Sequence, residues 1–200
     1  MVSDSVLRQF EDIVGREYVL TSAEDRQVYS YDAHPLFGAL PDVIVQPAST
    51  EEVVAVVQVA RENGLKLVPR GSGTNLSGGT VPQEGGVVLN LSRMNRILEI
   101  DEANLTATVQ PGVITEHLHE AVEAKGLFYP PDPGSKMIST MGGNVAECSG
   151  GLRGLKYGVT RDYVIGLEVV LADGRVLRTG GKAMKDVAGY DLTRLFVGSE

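Results

Sequence analysis

The chain carries one glycine-rich segment directly after a predicted strand: Pro69-Arg70-Gly71-Ser72-Gly73-Thr74-Asn75-Leu76-Ser77-Gly78-Gly79. Glycine has no Cβ, so consecutive backbone N–H groups can turn toward one point and bind an anion such as a pyrophosphate. The segment is not a Walker A loop, because Gly79 stands where that motif requires lysine. It is not a Rossmann fingerprint either, because Leu76 replaces the third glycine. The residues alone leave two interpretations open, a phosphate-binding loop and an ordinary glycine-rich surface loop.

A strand–helix–strand pattern leads into this segment. Residues 42–46 form a short apolar run between prolines, which predicts a strand. Ser49 is placed to cap the next helix with Glu52 reaching back in a capping box, and the helix is expected to end at Asn63-Gly64. Residues 65–68 are predicted to form the second strand. Because the pattern is a βαβ unit, its two strands are expected to be parallel.

Beyond the glycine-rich segment, the pattern changes to short strands separated by turns. Strands are predicted at residues 87–91, 97–100 and 105–110, and a helix at residues 115–125. Residues 129–157 are rich in proline and glycine and predict irregular loops. A hairpin with a tight primed turn at Asp173-Gly174 is expected to follow.

These elements predict an α+β fold with two lobes. Residues 1–40 are expected to form a helical segment that packs on the domain. The domain itself would cover residues 41–200, with a small βαβ lobe at 41–70 and a larger lobe at 71–200. The larger lobe is expected to hold a mixed or antiparallel sheet with flanking helices.

Composition and charge exclude several classes of protein. The formal net charge of -8 would repel nucleic acid, and no apolar run is long enough to predict a transmembrane segment. The N-terminus has no features of a signal peptide, so a cytoplasmic protein is expected. Cys148 is the only cysteine, so neither an intrachain disulfide nor a thiolate metal cluster is expected.

A second set of loops shares the glycine-rich character of the first. It comprises residues 130–134, 139–144, Gly150-Gly151 and Tyr157-Gly158. Both sets supply many backbone donors and few ionisable side chains, which suits a large preformed cofactor better than acid–base chemistry. For Asp132, an Asx-turn in a proline-rich loop and a cofactor contact are equally open.

The remaining candidate side chains do not form a catalytic or metal-binding pattern. His117 and His119 lie two residues apart on a predicted helix, so they cannot form the pair that binds zinc, and both are expected to be exposed. His34 is expected at the surface and Cys148 in the interior. Asp191 is expected to cap or turn the chain. We therefore assign no catalytic residue and no metal ligand.

Taken together and in order, the motifs resemble a known family. The first glycine-rich segment, Pro-Pro-Asp-Pro-Gly at 130–134, Ser-Thr-Met-Gly-Gly-Asn at 139–144 and Ala-Gly-Tyr-Asp-Leu-Thr-Arg-Leu at 188–195 resemble the FAD-binding (PCMH-type) domain of the vanillyl-alcohol-oxidase flavoproteins. Within that superfamily, the chain is most similar to the branch of glycolate oxidase FAD subunits and D-lactate dehydrogenases. The resemblance runs from Tyr31 to Glu200.

The resemblance implies positions for the cofactor. The FAD pyrophosphate would be wrapped by Pro69, Arg70, Gly71, Ser72, Gly73, Thr74, Asn75, Leu76, Ser77, Gly78 and Gly79. The cofactor would also be lined by Pro131, Asp132, Ser139, Thr140, Met141, Gly142, Gly143, Asn144, Gly150, Gly151, Tyr157 and Gly158. Gly142 and Gly143 would allow close approach to the pyrophosphate and flavin, and Ile165 would meet the adenine through its backbone. Some members attach FAD through a histidine in the first loop; here Thr74 occupies that general position, so non-covalent FAD is expected.

The resemblance also implies an activity. The protein would oxidise a small D-2-hydroxyacid to a 2-oxoacid, with substrate-handling residues in a C-terminal cap domain that these 200 residues do not contain. The 200 residues alone are therefore expected to be inactive. Partner redox subunits, and through them a peripheral position at the inner membrane, belong to the same expectation. The alternatives are another oxidoreductase or synthase of the superfamily and a non-catalytic flavin-binding module.

Overall fold

The computed structural model describes residues 2–183, 185 and 187–200, which form an α+β fold. The helices are α1 (Asp4–Val14), α2 (Ala23–Val28), α3 (Thr50–Glu62), α4 (Thr115–Glu123), α5 (Met141–Glu147), α6 (Gly154–Tyr157) and α7 (Leu192–Phe196). The strands are β1 (Val19–Leu20), β2 (Val43–Val45), β3 (Leu67–Arg70), β4 (Val87–Asn90), β5 (Ile97–Asp101), β6 (Thr106–Val109), β7 (Gly166–Val170) and β8 (Val176–Gly180). The chain divides into two compact units, Met1–Met94 with Val170–Val176, and Asn95–Val169 with Leu177–Glu200.

The first unit is built on a four-stranded sheet in the order β1-β2-β4-β3. Strands β2, β4 and β3 are parallel, with Ile44 and Val68 both paired to Val88, while β1 is antiparallel to β2. The predicted parallel arrangement is confirmed. The two strands of the βαβ unit are not neighbours, however, because β4 lies between them.

The position of β4 corrects the predicted lobe boundary. Residues 87–91 were expected in the second lobe, yet they supply a central strand of the first unit, which extends to Met94. Val87 and Val88 are fully buried, as are all three residues of β2. A strand that is apolar on both faces belongs inside a parallel sheet rather than at the surface of an antiparallel one.

Helix α3 begins and ends where the sequence predicted. The Ser49 hydroxyl accepts a hydrogen bond from the Glu52 N–H at 3.2 Å, and the chain turns at Asn63 into Gly64, whose φ is +63°. The Glu52 carboxylate accepts from the Ala48 N–H at 2.8 Å, one residue before the cap. The following strand starts at Leu67, two residues later than predicted, so Pro69 and Arg70 belong to β3 rather than to the loop.

Of the N-terminal helices, α1 belongs to the core of the first unit. Val6, Phe10 and Val14 of α1 are buried in the same apolar cluster as the central strands. Ser22 caps α2 by accepting from the Asp25 N–H at 3.0 Å. Both helices lie in the first unit, and β1 between them pairs with β2 of the sheet.

The second unit contains the hairpin of β5 and β6, helices α4 to α7 and most of the hairpin of β7 and β8. Residues 129–157 were expected to be irregular, but they contain α5 and α6. The turn of the last hairpin is not a primed turn, because Gly174 has a φ of +84° while Asp173 is not in the left-handed region. A turn from Leu171 to Gly174, closed at 2.8 Å, followed by the left-handed glycine is the usual three-residue hairpin loop. Within the described residues, no helix has the length and apolar character needed to cross a bilayer.

Candidate cofactor-binding site

The first glycine-rich loop needs glycine at two positions for its backbone. Gly73 has a φ of +70° and Gly78 a φ of +80°, a region that residues with a Cβ seldom adopt. A Cβ on Gly73 would overlap the Arg70 guanidinium, and a Cβ on Gly78 would lie 3.0 Å from the Phe37 ring. The loop is therefore closely packed on the protein side as well as turned sharply.

The buried carboxylate of Asp32 forms hydrogen bonds with this loop. Asp32 is only 6% exposed, and its Oδ2 accepts hydrogen bonds from the Asn75 side-chain amide and from the Gly78 N–H, both at 2.8 Å. Its Oδ1 accepts from the His34 N–H at 2.7 Å. The Ala33 N–H also donates to the Asn75 carbonyl at 3.1 Å. The segment around residue 32 is therefore bonded to the loop at several points.

Two further buried polar residues support the loop. The Arg70 guanidinium donates to the Thr80 hydroxyl at 3.4 Å and lies over the Tyr29 ring at 5.5 Å. Burial lowers the pKa of Arg70 below its usual value. The Asn90 side chain donates to the Gly71 carbonyl at 3.1 Å from the end of β4. Arg70 was expected to wrap a pyrophosphate, which stays a prediction; its guanidinium is buried and lies against Gly73.

Some backbone donors of the loop are not used within the protein. Within the described residues, the N–H groups of Gly73 and Thr74 donate to no protein acceptor, whereas the Gly78 N–H is bonded to Asp32. Leu76 is exposed, as are Ser72, Ser77 and Gly79. Backbone amides without a protein acceptor, beside a glycine of positive φ, are the kind of group that binds phosphate in other proteins.

In the second unit, the proline-rich loop is held by a histidine. His119 on α4 is 4% exposed, its Nε2 lies 2.9 Å from the Pro131 carbonyl and its Nδ1 lies 3.3 Å from the Glu116 carboxylate. The expectation that His119 is exposed is wrong, while His117 is exposed as expected. Thr115, Leu118, His119 and Val122 are the buried residues of α4. They follow the i, i+3, i+4, i+7 pattern, so helical spacing could have shown that His119 faces inward.

Asp132 links the proline-rich loop to the next glycine pair. Its Oδ1 accepts from the Arg153 N–H at 3.1 Å, and its Oδ2 lies 3.5 Å from Arg153 Nε. A Cβ on Gly151 would overlap the Asp132 carbonyl. The carboxylate of Asp132 thus joins two loops rather than forming an Asx-turn within its own loop, and a cofactor contact of Asp132 stays a prediction.

The segment around α5 uses its donors within the protein. The N–H groups of Met141 and Gly142 donate to the carbonyls of Val113 and Pro111 at 2.8 Å, and the Gly143 N–H donates to the Thr140 hydroxyl at 3.3 Å. A Cβ on Gly142 would lie 2.7 Å from the Pro111 Cβ. Gly142 was expected to permit approach of a cofactor, and this stays a prediction; in the structure Pro111 takes the space that a Cβ would need.

A buried polar network anchors the same segment to α4. The Asn144 side chain is 1% exposed and donates to the Thr115 hydroxyl at 2.7 Å. The Thr115 hydroxyl in turn lies 2.8 Å from the Ser139 hydroxyl. Met141 is also buried. These predicted site residues are therefore brought together as a structural core beneath the surface of the unit.

The remaining predicted residues lie nearer the surface. A Cβ on Gly150 would lie 2.9 Å from Val159, and Gly158, with a φ of +86°, leaves no room for one beside Asp162. Tyr157 and Ile165 are exposed, and the Ile165 carbonyl accepts from the Gly181 N–H at 3.0 Å. Leu152 and Leu155 are also fully exposed. This part of the second unit therefore presents apolar surface.

The other candidates have structural roles. His34 is half-buried, and its Nδ1 accepts from the Leu36 N–H at 3.2 Å. Asp191 caps α7 by accepting from the Arg194 N–H at 2.9 Å, as expected. Cys148 is partly buried at the left-handed end of α5. Among the described residues, no group of three or more His, Cys, Asp or Glu side chains is placed to hold a metal ion.

The fold and the glycine-rich loops together define a flavoprotein-type cofactor domain. A sequence profile of the family described as "FAD binding domain" matches residues 41–180. The chain therefore belongs to this family, and its cofactor is FAD. The first loop, with its free amides and absence of an exposed carboxylate among residues 69–79, fits the diphosphate of that cofactor.

The chain is also similar over its whole length to individual proteins. The chain is 62% identical over its whole length to the glycolate oxidase subunit GlcD of Bacillus subtilis, covering 43% of that protein. It is 42% identical over its whole length to the D-lactate dehydrogenase of Anaerostipes hadrus, covering 42% of that protein. The solved structure of an alkyldihydroxyacetonephosphate synthase matches 100% of the chain with a TM-score of 0.86 at 26% identity, over 41% of that chain. The chain thus spans less than half the length of these relatives.

Proposed function

We propose that the outer side of the first loop binds the FAD pyrophosphate. The free N–H groups of Gly73 and Thr74 are the donors, and the exposed Ser72 and Ser77 add polar side chains nearby. No histidine lies among residues 69–79, so the attachment is non-covalent. Arg70 acts indirectly, because its buried guanidinium packs against Gly73 and supports the loop.

In the second unit, the cofactor contacts come from the surface residues among those predicted. Gly151, Tyr157 and Ile165 are exposed and can meet apolar rings. The buried residues Ser139 and Asn144 act indirectly, because they hold α5 and the adjoining loops in place. The site therefore consists of a contact layer and a buried layer that shapes it.

The protein is proposed to oxidise a small D-2-hydroxyacid to the 2-oxoacid. The observation that carries this proposal is the 62% identity, over the whole chain, to a protein named as a glycolate oxidase subunit. When bound, FAD supplies the hydride acceptor for such a reaction. In this proposal, these 200 residues bind and orient that cofactor. Substrate binding is proposed for other parts of the full-length protein.

Partner subunits belong to the same proposal. The relative from Bacillus subtilis is named a subunit of an oxidase, which supports association with further redox proteins in the cytoplasm or at the membrane surface. Isolation of the tagged protein from its own cells tests this point. Recovery of the flavoprotein alone under mild conditions would contradict it.

A second function is favoured by one observation. The TM-score of 0.86 to alkyldihydroxyacetonephosphate synthase shows that the same fold also serves a synthase. Such a protein, or a module that binds flavin without turnover, would not be reduced by a 2-hydroxyacid. A test of whether a 2-hydroxyacid reduces the bound flavin therefore distinguishes the two functions.

The experiment is anaerobic mixing of the purified full-length flavoprotein with glycolate, D-lactate and D-2-hydroxyglutarate. We expect the flavin absorbance near the visible maximum to bleach with at least one of them, and to remain unchanged with L-lactate as the control. Absence of bleaching with every D-2-hydroxyacid, in a protein that retains FAD and is bleached by dithionite, would overturn the proposed reaction.

A further inference from the structure

We propose that Asp32 is a positioning residue for the cofactor, which holds the first loop in the shape that binds the FAD pyrophosphate. The inference rests on the proposed function of that loop. Asp32 lies outside the loop in sequence, and no glycine-rich motif includes it. Its role is visible only in the contacts that the fold creates.

The carboxylate of Asp32 connects two segments that are far apart in the chain. It accepts the His34 N–H on one oxygen and both the Asn75 side-chain amide and the Gly78 N–H on the other, at 2.7 to 2.8 Å. Gly78 and Asn75 lie near opposite ends of the turn, so one anion sets the distance between them. Hydrogen bonds to an ionised acceptor are stronger than those between neutral groups, which suits a fixed scaffold.

This arrangement also decides which amides remain for the ligand. The Gly78 N–H is bonded to Asp32, so it cannot also bind a phosphate, while the Gly73 and Thr74 N–H groups have no protein acceptor among the described residues. Asp32 therefore directs the anion toward the Gly73 end of the loop. Electrostatic attraction between the Asp32 carboxylate and the buried Arg70 guanidinium balances the two opposite charges that lie next to the loop.

The chemistry of the contacts requires an acid at this position. Both oxygens of Asp32 face N–H donors, so an amide at residue 32 would present its own NH2 group to at least one of them. Asp32→Asn is nearly isosteric and removes the charge and one acceptor. It is therefore expected to disturb the loop without removing volume from the interior.

The test compares Asp32→Asn with Asp12→Asn, the same chemical change at an exposed position on α1 of the same unit. FAD affinity is measured for the apoprotein by quenching of flavin fluorescence, and ADP affinity by calorimetry, at a temperature where circular dichroism shows each variant to be folded. ADP carries the pyrophosphate without the flavin. Because only folded protein is compared, a residue that merely stabilises the fold would leave both dissociation constants unchanged.

We expect Asp32→Asn to raise both dissociation constants by about ten-fold or more, and Asp12→Asn to leave them within about two-fold. If Asp32→Asn does not fold, Asn75→Ala must also weaken binding, because it removes one of the two contacts through which Asp32 holds the loop. Wild-type affinity for FAD and ADP in the folded variant would overturn the inference. A Gly73→Ala variant separates the two proposals: if it is weakened while Asp32→Asn is normal, only the role of Asp32 fails. If both bind normally, the pyrophosphate does not lie on this loop.

Discussion

The Nε2 atom of His119 lies 2.9 Å from the carbonyl oxygen of Pro131, and this contact ties helix α4 to the proline-rich loop. A carbonyl can only accept, so Nε2 donates. The other ring nitrogen faces the Glu116 carboxylate at 3.3 Å, which is also an acceptor. His119 therefore contacts both the Pro131 carbonyl and Glu116, and Glu116 is also paired with Lys136 at 2.7 Å.

Removal of His119 should therefore loosen the proline-rich loop. His119→Ala leaves the Pro131 carbonyl without its donor in a buried place, and we expect a loss of about 1–3 kcal/mol in the free energy of unfolding. Urea denaturation followed by circular dichroism measures it. His117→Ala, on the exposed side of the same helix, should change stability by less than about 0.5 kcal/mol. Equal effects of the two substitutions would show that the His119 contact contributes nothing specific.

The ion pair between Glu116 and Lys136 should make the stability of the protein depend on pH. The hydrogen bond from Lys136, followed by that from His119, lowers the pKa of Glu116 below its usual value. A carboxyl group with a depressed folded-state pKa stabilises the protein above its unfolded pKa and loses that effect as the pH falls through the folded value. The stability difference between wild type and Glu116→Gln should therefore be constant near neutral pH and shrink as the pH falls below about 4.5. Denaturation midpoints over this range check it, with the exposed Glu120→Gln as control; a difference that grows in acid would contradict the sign.

Gly142 offers a test of whether the Gly142-Gly143 pair serves packing within the protein. Gly142→Ala would place a Cβ 2.7 Å from the Pro111 Cβ, so we expect it to destabilise the apoprotein by about 1–3 kcal/mol. Gly134→Ala is the control, because a Cβ there meets nothing within 4 Å and its φ is not positive. Thermal unfolding without FAD measures both. If Gly142→Ala is as stable as wild type but binds FAD poorly, Gly142 contacts the cofactor rather than serving internal packing.

Local sequence signals predicted many of the elements, and long-range contacts account for what they missed. The cap at Ser49 and the end of α3 at Gly64 depend on neighbouring residues, so they could be read directly. The insertion of β4 between β2 and β3 depends on pairing across the chain, which periodicity does not encode. Asp32 and Asn90 were missed for the same reason, since neither lies in a motif and both act on residues 71–78 through tertiary contacts.

The glycines show the same limit at the candidate site. Their clustering correctly indicated close approach, but sequence could not tell a ligand from a neighbouring segment. At Gly142 the neighbour is Pro111, and at Gly151 it is Asp132. At Gly73 the loop packs on Arg70 on one side while its N–H has no acceptor within the described chain. The contacts on both sides of the backbone have to be known before a glycine can be assigned to a cofactor.

The mode of cofactor attachment can be checked directly. Because residues 69–79 contain no histidine, we expect acid precipitation of the full-length protein to release all of its flavin. Chromatography of the supernatant should identify FAD. Flavin that stays with the precipitated polypeptide would contradict non-covalent binding, and release of FMN alone would contradict a site built for the diphosphate.

The central claim, that the first loop holds the FAD pyrophosphate, is tested most directly by FAD titration of Gly73→Ala beside Gly64→Ala. Both glycines have positive φ, at +70° and +63°, so both substitutions carry a similar backbone strain of about 1 kcal/mol. Only at Gly73 would the added Cβ displace a buried side chain, the Arg70 guanidinium; at Gly64 it meets nothing within 4 Å. We expect the dissociation constant for FAD to rise by about ten-fold or more in Gly73→Ala and to stay within about two-fold of wild type in Gly64→Ala. Equal FAD affinity in the two folded variants would contradict the placement of the pyrophosphate on this loop.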